Sequence, residues 1–328
     1  MKIIGLEEEF ATQRSLKLVA EGLQIHRFTM ETSKELIQGD VVEAILDLGE
    51  RRIAAMDEAG IDMQVLSFIG PQVEDPSESI EMMREGNEKA AEAIQRYPSR
   101  FSAFASLPLA DPKAAVAEFD RVLNTHGFVG GFVCGSINGE FLDDMKYWPV
   151  LELAESRSVP IYIHPDFPLS KMKQAYFRGR EELSGPEWGF MVDASCHFMR
   201  LLTAGVFDQF PKLTIILGHL GESIPYNLDR INNRLRAYAR DKGLKRSPAE
   251  YMRENMVVTT SGNFSYPSFL CALGALGIDN VLFSVDWPFE SNKVAVDFLK
   301  HLPVNQPDIE KVAYKNAERV LNLPRQLA

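Results

Sequence analysis

An alternation constrains this chain most: eight short runs rich in apolar and β-branched residues, separated by longer segments of helical character. The runs are KIIGLEEEF (2–10), MQVLSFI (63–69), FSAFASL (101–107), GFVGGFVC (127–134), PIYIHP (160–165), LTIILGHL (213–220), MVVTTSG (256–262) and NVLFSVDWP (280–288). Helices are expected between them, among others at 40–60, 77–98, 111–126 and 146–158. Asp111 before Pro112 reads as an N-cap with proline at the first helical position, and Gly60 and Gly127 stand where helices should stop. Eight such alternations within 328 residues fit an α/β fold of the (β/α)8 or TIM-barrel kind, one domain over 1–328. A doubly wound open sheet is the structural alternative. Segments 11–40 and 166–187 are too long for ordinary connections. Following barrel strands, they would lie as long loops over the C-terminal face, covering a site or meeting a second subunit.

Charge narrows the function. Lysine and arginine number 35 against 46 acidic residues, a net charge of −11, which argues against nucleic acid and anionic membranes as partners. A small molecule is the better partner. The start MKIIGLEEEF has no signal-peptide character and no apolar run approaches a membrane span, so a cytoplasmic protein is expected. Cys134, Cys196 and Cys271 lack metal-finger spacing and are expected to be buried free thiols in a reducing compartment.

GLEEEF (5–10) sets three carboxylates in a row near the end of a strand. By alternation Ile3, Gly5, Glu7 and Glu9 share one face, and Ile4, Leu6, Glu8 and Phe10 the other. With Ile3 and Gly5 toward the barrel interior, Glu7 and Glu9 would enter its mouth and Glu8 would point to the helical layer or a salt-bridge partner. A solvated strand end is the alternative. Other runs end in residues of the same kind: His164 in PIYIHP, His219 in LGHLGE with Glu222 just beyond, and Asp286 in FSVDWPFE. Strand ends of a barrel converge on one face, so these residues read as a metal site with a neighbouring general acid or base. Glu7, His164 and Asp286 form a sulfur-free set that suits Mn²⁺ or Zn²⁺ better than copper, with Mg²⁺ less favoured because it takes imidazole poorly.

The set GLEEEFAT, LDLGERRIAAMDEAGID, GFVGGF, INGEFLDD, PIYIHP, LGHLGE and FSVDWPFE resembles the amidohydrolase-related, metal-dependent barrel decarboxylases. This group contains the γ-resorcylate, 2,3-dihydroxybenzoate, 5-carboxyvanillate and aminocarboxymuconate semialdehyde decarboxylases. The resemblance runs from about residue 3 to residue 323. It implies an amidohydrolase-like barrel that releases CO₂ from a hydroxylated aromatic acid of the ortho-hydroxybenzoate type, after protonation of the ring carbon. It further implies Glu7, His164 and Asp286 as metal ligands, Asp286 as the proton donor, and His219 and Glu222 beside the substrate. A homodimer or homotetramer is expected.

Departures from the family bear on the substrate. Where relatives carry His or Ala, this chain has Glu9, which would bind the metal, weaken its Lewis acidity, or repel an anionic substrate. Cys134 stands where Asn is common, Trp287 replaces Tyr, and no arginine between 31 and 46 matches the one in carboxyvanillate enzymes, which argues against a dicarboxylated ring. Three further residues resemble substrate positions, each with a plainer reading beside it. Arg230 is either a carboxylate clamp contributed across a subunit interface or part of a solvated basic helix face. Trp188 is a pocket wall or a core aromatic, and His197 is a substrate neighbour or a satisfied core histidine. His26, His126 and His301 join no constellation. The same barrel and ligands also serve metal-dependent hydrolases of lactones or amides, the alternative activity, and a non-enzymatic binding or assembly subunit is a third possibility.

Overall fold

The structure is a computed structural model that describes residues 1–25 and 27–323, the side chains of 20–25 and 28 excepted. His26 and the end of the 1–328 span therefore lie outside the described residues. The strands are β1 (Ile4–Phe10), β2 (Met63–Phe68), β3 (Phe101–Ala103), β4 (Ala105–Ser106), β5 (Gly131–Cys134), β6 (Ile161–His164), β7 (Ile215–Leu217), β8 (Met256–Thr259) and β9 (Val281–Leu282). All neighbouring pairs run parallel in the order of the sequence. β3 and β4 are one strand position interrupted at Phe104, whose N–H still bonds Leu66 O at 3.0 Å while Ala105 N–H turns to Gly130 O at 2.8 Å. Eight positions result, as the alternation requires, and the chain is a (β/α)8 barrel.

Val65, Phe104, Phe132, Tyr162, Ile216, Val257 and Leu282 fill the interior, joined by Ile4 and Leu6 from β1 and Cys134 from β5. Ala317, Val320 and Leu321 of the last helical segment close its floor. Phe104 and Phe132 flank Tyr162 with ring centroids 5.5 and 5.4 Å away. The larger apolar cluster lies outside the strands, against the helices. Each fully buried side chain of this size contributes about 1.5–3 kcal/mol, so the two layers together hold the strand ends in fixed positions.

β1 departs from simple alternation. Ile4 and Leu6 face the interior, whereas Ile3 belongs to the outer layer. That reverses the expected faces. The register explains how Glu7 and Glu9 nevertheless reach the mouth: Gly5 pairs with Gln64 and Glu8 with Leu66, so Leu6 and Glu7 together oppose Val65. This is a β-bulge, and the extra residue shifts the phase of everything after it. Gly5 accordingly lies under Glu8, where a Cβ would come within 2.3 Å of Glu8 Oε1.

The barrel closes between its last and first strands with little ladder. Glu9 N–H bonds Trp287 O at 2.7 Å, Glu7 N–H bonds Ser284 Oγ at 2.7 Å, and Glu8 Oε1 accepts from Val285 N–H at 3.0 Å.

Helix boundaries follow local chemistry. Asp111 accepts from the N–H groups of Lys113 and Ala114 ahead of helix Pro112–Thr125, and Gly60 ends helix Glu50–Ala59 at φ 79°. The helix expected over 40–60 is two, Val41–Leu46 and Glu50–Ala59, because the Asp47 carboxylate takes the N–H groups of Gly49 and Arg52 and turns the chain. The segment 11–40 is mostly helical, Gln13–Ile25 and Arg27–Ile37, and 166–187 carries the short helix Ser170–Tyr176. Only one of the three cysteines is buried: Cys134, whereas Cys196 is exposed and Cys271 half-buried. Among the described residues no helix is long and apolar enough to cross a membrane.

Candidate metal centre and active site

Glu7, Glu8 and Glu9 are all fully buried, so the solvated strand end does not occur. Glu8 turns to the helical side, where Gln64 Nε2 donates to Oε2 at 3.0 Å and Val285 N–H to Oε1. Arg52, itself 2% exposed, reaches Glu8 through Gln64, its Nε on Gln64 Oε1 at 2.8 Å, and also donates to Glu9 O at 2.8 Å. Burial pushes Glu8 up to about 8 and Arg52 down to about 10. Since both Glu8 oxygens accept hydrogen bonds, the geometry suits the ionised carboxylate.

Glu7 and Glu9 enter the mouth. Glu7 Oε2 accepts from the Tyr162 hydroxyl, which also meets Thr259 Oγ1 at 2.9 Å. His164 Nε2 lies 3.4 Å from Glu7 Oε1 and 3.0 Å from Glu9 Oε1. His219 Nε2 lies 4.0 Å from Glu7 Oε1 and 3.7 Å from Asp286 Oδ2. Glu7 Oε1 and both Glu9 oxygens are buried with no hydrogen-bond partner. Three such oxygens facing two imidazoles would be costly without a shared cation. With ligand bonds of about 2.0–2.2 Å, two donors on one ion stand about 3–4 Å apart, and these separations match. Two overlapping sets qualify, Glu7 with Glu9 and His164, and Glu7 with His219 and Asp286. The donors therefore fit a divalent metal site.

Electrostatics agree with that reading. Burial raises Glu7, against the pull of His219 and His164, and raises Glu9 to about 8. Burial favours neutral rings at His164 and His219, but Cys134 and Glu9 at the first, and Glu222 and Glu7 at the second, raise both well above the ordinary histidine range. A dication on the carboxylates would supply the positive charge in their place.

Local backbone fixes the ligands. His219, Leu220, Glu222 and Asp286 have φ of 52°, 59°, 56° and 82°, left-handed values uncommon outside glycine, Asn and Asp. The turn 218–222 sets His219 Nδ1 2.6 Å from Glu222 Oε1, which leaves Nε2 directed at the cluster. Two glycines make room: a Cβ on Gly218 would stand 2.7 Å from Glu7 Oε2, and one on Gly262, at φ 57°, 2.9 Å from Asp286 Oδ2. Gly262→Ala is expected to weaken divalent-cation binding at least tenfold and to cost about 1–2 kcal/mol of stability from left-handed strain. Titration of the variant with Mn²⁺ checks this; unchanged affinity would refute the crowding argument.

A cavity of about 160 Å³ opens beside the cluster. Its walls are largely apolar, with Ile69, Pro71, Phe167, Phe190 and Phe289, and its polar lining includes Glu9, Cys134, His164, His219, Asp286 and Glu290. Val19, Met30 and Pro186 come from the two long segments, which do cover the mouth.

The three substrate-binding candidates fall outside this cavity. Trp188 is 55% exposed and caps helix Gly189–Thr203, and the wall from that region is Phe190. Packing on the helix turns position 190 inward and leaves 188 outside. His197 is fully buried, accepts Leu142 N–H at Nε2 over 3.1 Å, and is pushed down to about 3 by burial, a neutral core histidine. Arg230 is exposed on helix Ile224–Asp241, in a shallow groove with Ser195, Cys196 and Arg234. Sequence reasoning missed Tyr162, Thr259, Gly218, Gly262 and Glu290. For Tyr162 the signal was present, since it precedes His164 by two residues on a strand and must share its face.

A model of the Amidohydrolase family matches residues 40–323. The γ-resorcylate decarboxylase of Polaromonas sp. (strain JS666 / ATCC BAA-500) is 35% identical over 334 residues, covering 98% of this chain and 99% of that one. A solved 2,6-dihydroxybenzoate decarboxylase, complexed with 2,6-dihydroxybenzoate, superposes with a TM-score of 0.89 at 36% identity, over 98% of this chain and 100% of that one. The dihydroxybenzoic acid decarboxylase from Polaromonas sp. JS666, solved with manganese and the inhibitor 2-nitroresorcinol, gives a TM-score of 0.89 at 36% identity, over 99% and 98%.

Proposed function

The chain belongs to the amidohydrolase family, and from that membership we propose that it is a metal-dependent, non-oxidative decarboxylase of an ortho-hydroxylated aromatic carboxylic acid. The observation that carries the reading is the convergence of Glu7, Glu9, His164, His219 and Asp286 in one cluster beside an apolar cavity, with three carboxylate oxygens lacking any other partner. Full-length similarity to γ-resorcylate and 2,6-dihydroxybenzoate decarboxylases supports the same reaction class.

Glu7, Glu9, His164 and Asp286 would hold the ion, and their mostly oxygen donor set favours Mn²⁺, the metal bound in the Polaromonas structure, over Zn²⁺. Bound there, a divalent cation would supply Lewis acidity toward the substrate carboxylate and its neighbouring hydroxyl. The remaining work belongs to the chain. Phe167, Phe190 and Phe289 receive the ring and exclude water from it. His219, held at Nδ1 by Glu222, offers Nε2 to a substrate oxygen. Asp286 delivers its proton to the ring carbon that bears the carboxylate. The carbon–carbon bond then breaks, its electron pair returns to the ring, and CO₂ leaves. Arg230 cannot serve its own chain's cavity from the exposed helix face; we assign it to the site of a neighbouring copy, as part of a homo-oligomer, where its guanidinium suits a carboxylate.

The experiment is CO₂ release by Mn²⁺-loaded protein from a panel of methoxylated and hydroxylated ortho-hydroxybenzoates. Release is expected from at least one, abolished by chelator, with specific activity falling on dilution to monomer. Silence across the panel from metal-loaded protein would overturn decarboxylation in favour of hydrolysis.

A further inference from the structure

The cavity holds two acidic groups that neither the metal cluster nor the proton step employs, Asp166 and Glu290. Glu290 follows Asp286 in a tight turn, in which the Asp286 carbonyl accepts from Phe289 N–H at 2.8 Å and Glu290 N–H at 3.1 Å. The turn brings Phe289 and Glu290 together into the cavity wall, beside His219 and Asp286. Glu290 is half-buried, and its carboxylate makes no hydrogen bond or ion pair with any described residue. Asp166, the other acid of the lining outside the metal cluster, is occupied by Phe167 N–H at 2.6 Å. A carboxylate in an apolar wall without a donor is an unmet demand, and a bound molecule can meet it.

Resting on the decarboxylase reading, we propose that Glu290 is a specificity-determining residue that accepts a hydrogen bond from a second phenolic hydroxyl on the substrate ring. Other ring substituents satisfy it less well. A methoxy group has no proton to donate, and a second carboxylate would repel it. Among the described residues of one chain, the cavity lining contains no Lys or Arg to offset that repulsion, and the Arg230 assigned from a neighbouring copy serves the reacting carboxylate. On a dihydroxylated ring, one hydroxyl would lie with the carboxylate at the metal site and the other on Glu290. Hydrogen bonds to charged groups discriminate by roughly tenfold or more.

Binding tests this without turnover. In 2-nitrophenol the nitro group replaces the carboxylate, so no CO₂ can leave. Calorimetric dissociation constants for 2-nitrophenol and its four ring-hydroxylated derivatives would be measured on Mn²⁺-loaded wild type, Glu290→Gln and Glu290→Leu. At least one hydroxylated isomer is expected to bind wild type about tenfold tighter than 2-nitrophenol. The gain should disappear in Glu290→Leu and shrink in the isosteric Glu290→Gln, which keeps a neutral acceptor. A wild type without any such gain, or a gain that survives both substitutions, would overturn the role. Failure of the decarboxylase reading would register separately, as absence of CO₂ release from hydroxybenzoates whatever the binding selectivity.

Discussion

Asp286→Asn is expected to retain Mn²⁺ and lose turnover by about 10²–10⁴-fold, the usual share of a positioned general acid. The amide keeps an oxygen where Oδ2 faces His219 Nε2 at 3.7 Å, and asparagine tolerates the φ of 82° that this position imposes. Neither the cation site nor the backbone should therefore collapse. What disappears is the transferable proton. The measurement is kcat on the best hydroxybenzoate together with metal content of the same preparation. A near wild-type kcat in protein that holds its metal would remove Asp286 from the proton step and shift attention to His219.

Arg52→Met should be the most damaging substitution away from the cavity. The guanidinium lies beneath β1, tied to Gln64 and to Glu9 O, and it is the nearby positive charge for Glu8. Its removal strands the Gln64 and Glu9 oxygens and leaves a buried carboxylate without a counter-charge. Breaking a buried pair in this way costs about 3–5 kcal/mol, a large part of the roughly 5–15 kcal/mol available to a folded protein. Urea unfolding reads the loss directly. Arg52→Lys, which preserves charge but not the fork, should lie between the two. An unfolding free energy for Arg52→Met within about 1 kcal/mol of wild type, small beside the cost of a broken buried pair, would mean that Glu8 is held neutral by its burial.

The (β/α)8 plan was legible because each strand run carries its own apolar signal and several helices carry their own caps; Asp111 and Gly60 act as their residue types require. His164, His219 and Asp286 were legible for a related reason: a barrel gathers strand ends, so polar residues ending apolar runs must meet. Other features depend on three-dimensional crowding. Gly218 and Gly262 matter through the Cβ atoms they lack, and no pattern in one dimension states what a missing atom would strike. Arg52 was hidden by the ordinary expectation that arginine faces water. Trp188 and His197 show the converse, since resemblance to a substrate position says nothing of which way a helix turns its side chains in this chain. Glu7 and Glu9 do enter the mouth, although the premise about Ile3 and Gly5 was mistaken.

That last point has a consequence for how β1 tolerates change. The bulge at Leu6 and Glu7 divides the strand into two reading frames, one spelling the barrel floor with Ile4 and Leu6, the other spelling the mouth with Glu7 and Glu9. Exchange of Leu6 for another apolar side chain leaves both frames intact. Loss of a single residue between Gly5 and Glu8 merges them, and then either the floor gives up Ile4 or the mouth gives up its two acids. The count of residues in this strand carries as much of the chemistry as their identity.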